Sequence, residues 1–441
     1  MIIGINVVMS ERIYRHYNTL PASGNRYPKL LRWARQHTDT AVFLNSNGYL
    51  HDQYASFPWV LGVGAADVFH GNGSGTFDAL KDFEQRHNDW LFGFFSYELK
   101  NQLENLQSEN PDPVGMPPAH FFRPVAVILP GQEGGCRIGC LPGFGKLSDP
   151  DFVYNGLLSE EETPFVQPGI PGLQPRVSRA RYLRQLQAIK DHIQAGDIYE
   201  LNYCVEFFRE HTEVDPLICY EWINRSSPTP FSCFYMLDDK YLMCASPERF
   251  MKKQGSRLIA QPIKGTSARG GNMAEDTRNR QDLFEDPKER SENVMIVDLM
   301  RNDLSRSAQK DSVKVEELFG IYSFSHVHQM ISTITSRLDP SCHYLDAIRY
   351  AFPVGSMTGA PKVRAMELIE QYEDTRRGLY AGSVGYISPE KDFDFNVVIR
   401  SLQYNAKNAY LGYMAGGAIT AASVPEREYE ECLLKARAVL G

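Results

Sequence analysis

Lys264 stands in the run Gln261-Pro262-Ile263-Lys264-Gly265-Thr266, where Pro262 fixes its own φ and Gly265 lets the backbone turn or approach a ligand. A lysine on so constrained a loop can serve as a nucleophile when its surroundings favour the neutral amine. On the local sequence alone, a solvated surface lysine is the simpler reading. Two acidic pairs come next: Glu289 with Glu292, and Glu428 with Glu431. A spacing of three puts each pair on one helix face. Facing helices would offer up to four carboxylates to a hard cation such as Mg²⁺; separate helices would simply present solvated faces. Two glycine-rich runs, 352–362 and 414–419, could lend backbone N–H groups to a carboxylate. The first is no phosphate loop, because Pro361 precedes Lys362 and Val363 follows it. Cys140, in Gly139-Cys140-Leu141-Pro142-Gly143, faintly resembles a glutaminase nucleophile turn, but no His-x-Glu arrangement follows to serve it. It reads as a small apolar residue.

These residues need elements to position them. The 441 residues are 43% hydrophobic and 23% charged, a globular composition with ample core. A net charge of -8 without a basic run argues against nucleic acid. No apolar window is long enough for a membrane span, and Met1-Ile2-Ile3-Gly4 does not open like a signal peptide. Eight scattered cysteines then fit a reduced, cytoplasmic protein. Residues 158–178, with four prolines and an acidic run, read as a linker between a region 1–157 and a region 179–441. Strands are expected at Ala41–Leu44, Trp90–Phe95, Phe121–Leu129, Phe231–Leu237, Ala381–Ile387 and Phe395–Arg400. Helical spacing predicts a helix capped by Ser178 and ended by Gly196, another over Lys288–Leu304, and a third over Pro425–Leu440. Strands mixed with helices, without a strict βαβ rhythm, indicate an α/β or α+β layered fold.

The motifs also occur in a telling order. Ala245-Ser246-Pro247-Glu248-Arg249-Phe250 is followed by Pro262 to Thr266, then by Glu292-Asn293-Val294-Met295 through Asp303-Leu304. Phe352 to Lys362, Tyr380 to Tyr386, Ile399-Arg400-Ser401, Ala415-Gly416-Gly417 and Glu428 to Lys435 complete the series. Together they resemble the chorismate-utilising enzymes, a family that includes anthranilate, aminodeoxychorismate, isochorismate and salicylate synthases. The resemblance is clear over about 180–438 and thinner before the linker, where Gly93-Phe94-Phe95-Ser96-Tyr97-Glu98-Leu99 carries it. It implies two large, mainly antiparallel sheets layered with helices outside. Within the family, lysine at 264 resembles the aminodeoxychorismate synthases, whereas anthranilate synthases carry alanine there. The isochorismate and salicylate synthases carry a water-activating lysine after a Gly-Asp turn; that register falls here on Glu200.

The resemblance implies amination of chorismate at C4, with Lys264 attacking C2 and ammonia then displacing it. Glu248 would be the general acid for the departing hydroxyl. Mg²⁺ would bridge the ring carboxylate to Glu292 and Glu431, with Glu289 and Glu428 directly or through water. Arg400 and Tyr380 would hold the enolpyruvyl carboxylate; Thr266, Ser356, Gly416, Gly417 and Lys435 would line the substrate. Ammonia would come from a separate glutamine amidotransferase subunit, because this sequence carries no glutaminase residues. Three positions depart from the family pattern. Gln329 stands at a frequent histidine's place with His328 beside it, Ala418 replaces a common glycine, and Asn45 replaces the acid of a tryptophan-sensing Leu-Leu-Glu-Ser. Tryptophan inhibition is therefore not expected, although a structurally bound tryptophan stays open. Anthranilate synthesis and a non-catalytic chorismate-binding subunit are the competing readings.

Overall fold

The computed structural model describes residues 11–19, 27–49, 52–161, 163–170 and 172–440. Among them, twenty strands join through antiparallel pairings into one hydrogen-bonded network. The network has two wings. One runs through strands Trp59–His70, Thr40–Asn45, Phe231–Leu237, Lys240–Ser246, Ser401–Asn405 and Tyr410–Ile419 to Glu200–Arg209. The other runs through Leu91–Phe95, Ser383–Ile387, Phe393–Asn396, Arg249–Gln254 and Arg257–Gln261 to Val327–Arg337, which also pairs with Ile263–Ala268 and Lys314–Ser323. The long strand Ala119–Pro130 belongs to both. It pairs with Leu91–Phe95 through its first residues, with Cys136–Cys140 through its last, and with Trp59–His70 along its other edge. The two expected sheets are thus hydrogen-bonded into one.

Leu91–Phe95 is buried at every residue, a strand covered on both faces, which is why it reads as a continuous apolar run rather than an alternating one. Helix Arg179–Ala195 starts where expected: Ser178 Oγ accepts from the Arg181 N–H, and Gly196 closes it at φ 85°. Residues 158–178 include the last turn of helix Pro150–Ser159 and a two-residue strand, Gln174–Pro175, against Phe207 and Phe208. Strands from either side of this segment pair with each other, as Thr40–Asn45 does with Phe231–Leu237.

The strand expected at Phe395–Arg400 is corrected. It ends at Asn396 in one wing, and a new strand begins at Ser401 in the other. Residues 397–400 cross between the wings, and Arg400 turns the chain with φ 51°. Residues 247–248 cross in parallel fashion from Lys240–Ser246 to Arg249–Gln254. The two crossings hold each other: Ala245 N–H donates to Arg400 O at 3.1 Å, and Val397 N–H donates to Glu248 O at 3.0 Å. Glu248 and Arg400 therefore sit together where the wings meet.

Candidate active site

Glu248 is buried, 4% exposed. Ser356 Oγ donates to its Oε1 at 2.6 Å, and the Ile263 N–H approaches the same oxygen at 3.4 Å. Burial outweighs these bonds and the nearby charges of Lys264 and Arg400, pushing the carboxyl up to about 7. A carboxylic acid poised near neutrality can hold and deliver a proton.

Lys264 follows Ile263 directly, so the strand Ile263–Ala268 carries it to Glu248. A bulge interrupts the pairing between Ile263 and Thr266, with Gly265 at φ +99°. A side chain at 265 would be strained there and would sit 3.1 Å from Glu289 Oε2. Behind the bulge, Ser332 Oγ donates to Asn293 Oδ1 at 2.6 Å, and Asn293 Nδ2 donates to the Lys264 carbonyl at 3.4 Å. The Lys264 side chain is buried and reaches across to the other wing, where its Nζ lies 3.4 Å from Glu200 Oε1. Lys264 is therefore an interior residue facing the general-acid candidate, not a surface lysine.

Arg400 is half-buried, and desolvation lowers its pKa against the opposing pull of Tyr413 and Glu248. Among the described residues its guanidinium makes no hydrogen bond or ion pair. A desolvated, unpaired guanidinium has an unmet need for an anion, and its planar fork suits a carboxylate. Tyr380 is more deeply placed than a ligand contact requires. Its hydroxyl accepts from Cys204 Sγ at 3.7 Å, and burial holds it well above the ordinary tyrosine range, as a neutral phenol.

The acidic pairs lie on helices Pro287–Ser305 and Pro425–Leu440. The helices do come near each other: the charge of Glu431 raises the Glu289 carboxyl, and Lys288 feels all four glutamates. Burial is the main cause of the raised pKa at Glu289 and at Glu292. Glu292 Oε1 is buried without a hydrogen-bond partner. Among the described residues, however, no three carboxylates are gathered closely enough to hold a metal by themselves. The four glutamates expected to hold Mg²⁺ are set apart from one another here, and the reason is electrostatic. Like charges separate unless a cation joins them, and here lysines fill that role: Lys288 Nζ lies 3.7 Å from Glu292 Oε1, and Lys435 Nζ lies 2.7 Å from Glu431 Oε1. The donor type fits a hard cation, and Glu292 Oε1, buried without a hydrogen bond and held only by the 3.7 Å ion pair with Lys288, is an oxygen such a cation could take.

Lys435 also donates to the Gly416 carbonyl at 2.7 Å, so it is tied down as well as charged. A side chain at 416 would run into Tyr203 O at 2.3 Å, and one at 417 would approach Glu428 Oε2 at 3.3 Å. Gly416 thus lets the neighbouring strand Glu200–Arg209 lie close, and Gly417 lets the strand lie against the acidic helix. Ser356 is in contact as expected, but on Glu248. Thr266 lies past the bulge and is exposed. His328 is stitched between Ser323 and Asp276, at 2.8 and 3.1 Å, which explains it structurally. Gln329 Oε1 is buried with no partner. Cys140 is fully buried, its thiol pushed up to about 12 by burial, and is no nucleophile. Sequence reasoning passed over Glu200 as the mere absence of a lysine, and it missed Asn293 and Ser332 because hydrogen bonds between distant elements leave no local pattern.

A family model described as chorismate binding enzyme matches residues 46–441. The chain belongs to that family. The match takes in most of the region before residue 158, where the motifs are sparse. Component 1 of the aminodeoxychorismate synthase of Salmonella typhimurium is 37% identical over 352 residues, 79% of this chain and 75% of the relative. Component 1 of the anthranilate synthase of Thermus thermophilus is 35% identical over 359 residues, 79% of this chain and 76% of the relative. In fold, the chain is similar to the menaquinone-specific isochorismate synthase of Escherichia coli, with TM-score 0.76 and 17% identity over 98% of this chain and 94% of that one. The anthranilate synthase component I of Streptococcus pneumoniae gives TM-score 0.74 and 23% identity over 87% and 92%. The chain is thus a chorismate-utilising enzyme, with anthranilate synthase and aminodeoxychorismate synthase relatives at similar identity.

Proposed function

We propose that this enzyme aminates chorismate at C4 to give 4-amino-4-deoxychorismate, with Lys264 as covalent nucleophile. The observation that carries the reading is the placement of Lys264: buried at a bulge beside Glu248 and paired across the wings with Glu200. A buried amine beside a buried carboxyl whose pKa is raised suits covalent displacement of a poor leaving group. Lys264 Nζ attacks C2 of the ring. The double bonds shift, the C4–O bond breaks, and the hydroxyl takes the Glu248 proton and departs as water. Ammonia then bonds to C4, the double bonds return, and the C2–N bond breaks to release Lys264. The new ammonium returns a proton to Glu248.

Arg400 would take the enolpyruvyl carboxylate, with the Tyr380 hydroxyl behind it. Glu292, Glu289, Glu428 and Glu431 would hold Mg²⁺, which would neutralise and orient the ring carboxylate. Lys435, Gly416, Gly417 and Thr266 would border the substrate. Ammonia would come from a separate glutamine amidotransferase subunit. Eight free cysteines, seven of them buried, support a reducing cytoplasm, and no helix among the described residues is long and apolar enough to cross a membrane.

The similarity to anthranilate synthases favours the second reading, in which pyruvate is also eliminated. Purified protein with chorismate, Mg²⁺ and ammonium, its products resolved by chromatography, separates the two. Aminodeoxychorismate supports the proposal. Anthranilate with pyruvate overturns it, and no turnover favours a chorismate-binding subunit.

A further inference from the structure

Glu200 is 3% exposed, and it stands on the wing opposite Lys264. One of its oxygens, Oε1, lies 3.4 Å from Lys264 Nζ. The other, Oε2, is buried with no hydrogen-bond partner. Its place is fixed by pairing of the Ala360 strand, and the Tyr199 N–H beside it is bonded to Ala360 O at 2.7 Å. Leaving a buried carboxylate oxygen unmet is costly, and a structural counter-ion would ordinarily be fully bonded. A carboxylate within reach of the nucleophile, with spare acceptor capacity, is instead equipped to exchange a proton with it.

We infer that Glu200 is the proton acceptor that frees the Lys264 amine for attack and the donor that recharges the lysine after release. This rests on the covalent reading above and deepens it. The Lys264 ammonium passes one proton to Glu200, leaving a neutral amine whose lone pair forms the bond to C2. The hydroxyl leaves with the separate proton of Glu248. When ammonia has displaced it, Lys264 emerges as a neutral amine and recovers its proton from Glu200. No proton is created or lost, and no further reactant is needed. The charged groups facing this pair are Glu292, Glu289 and Lys288 from the acidic helix, and Glu248 with Arg400 from the crossings. Of these, Glu292 interacts with the charges of both Lys264 and Glu200.

The test is the rate of covalent adduct formation on Lys264, with chorismate and Mg²⁺ but no ammonia, followed by intact mass across pH 6–10 in wild type, Glu200→Gln and Glu200→Asp. General-base loss is expected to slow Glu200→Gln about 100-fold at neutral pH, with the rate climbing towards wild type as hydroxide takes over the proton. Glu200→Asp, which keeps the base but shortens it, is expected to fall between. Should Glu200→Gln misfold by circular dichroism, Glu200→Asp carries the comparison through its pH profile. An adduct that forms in Glu200→Gln at the wild-type rate and with the wild-type pH profile overturns this inference while leaving the covalent reading intact. A uniform slowing at every pH assigns Glu200 a structural role and also overturns it. Absence of adduct in wild type overturns both.

Discussion

Glu248→Gln separates the cost of the general acid from its use. In the folded chain, burial moves the Glu248 carboxyl from an ordinary value of 4.5 to about 7. The sign follows from proton binding. Between those values the folded protein holds the proton and the unfolded chain has lost it, so stability falls as pH rises through this window. Below 4.5 the penalty is absent; above 7 it is complete. At 1.36 kcal/mol for each tenfold change, the full penalty is about 3 kcal/mol. Glutamine keeps the shape, and its carbonyl accepts from Ser356 Oγ and the Ile263 N–H as the carboxyl oxygen does, but it never ionises. The variant should therefore be more stable than wild type at pH 8.5 and little changed at pH 5. For a chain of this length the unfolding entropy is on the order of 0.9 kcal/mol/K, so the gain is roughly 3 °C in midpoint at pH 8.5. The same variant should lose turnover by about 100-fold or more. Differential scanning fluorimetry at the two pH values, paired with the chromatographic assay, checks both halves. A variant that is destabilised at pH 8.5, or shifted equally at both pH values, refutes the account of Glu248 as a desolvated acid.

Four other outcomes follow from the same geometry. Ser356→Ala removes a bond that favours ionised Glu248, so the alkaline limb of the kcat profile should move up by about one to two pH units, given roughly 1.5–3 kcal/mol for a bond to a charged group. Lys264→Met should abolish turnover and, by leaving Glu200 buried and unpaired, destabilise the fold by about 3 kcal/mol in urea titration. Arg400→Met should raise KM for chorismate by about 10–100-fold with little loss of stability, because the guanidinium holds no partner in the protein; an unchanged KM would remove it from the substrate site. A native thiol titration should find one reactive cysteine, Cys342, and the remaining seven only after denaturation.

Much of the fold after residue 178 and the candidate residues themselves were legible because they sit in contiguous runs. Ser178 and Gly196 marked a helix to the residue, since caps are local events. The strand at Phe231–Leu237 and the helix at Pro425–Leu440 were equally plain. What escaped was geometry made between wings. Apolar periodicity extended a strand through Arg400, because Val397, Val398 and Ile399 are buried or half-buried whether they lie in a strand or cross between two. The Glu200–Lys264 pair spans two strands that never hydrogen-bond to each other, and no spacing could announce it. The four glutamates were found by their i,i+3 pattern, yet that pattern carries no information about distance between helices. Lys435, expected beside the substrate, pairs with Glu431, and Lys288, to which the sequence reading gave no role, pairs with Glu292.

The central claim is that Lys264 becomes covalently attached to the substrate. Enzyme mixed with chorismate and Mg²⁺ without ammonia, quenched in acid and measured by intact-mass and peptide mass spectrometry, tests it directly. The account predicts a mass increase equal to chorismate less one water, located on Lys264 and discharged as aminodeoxychorismate when ammonium is added. An unmodified Lys264 in enzyme that then turns chorismate over at its full rate would contradict it.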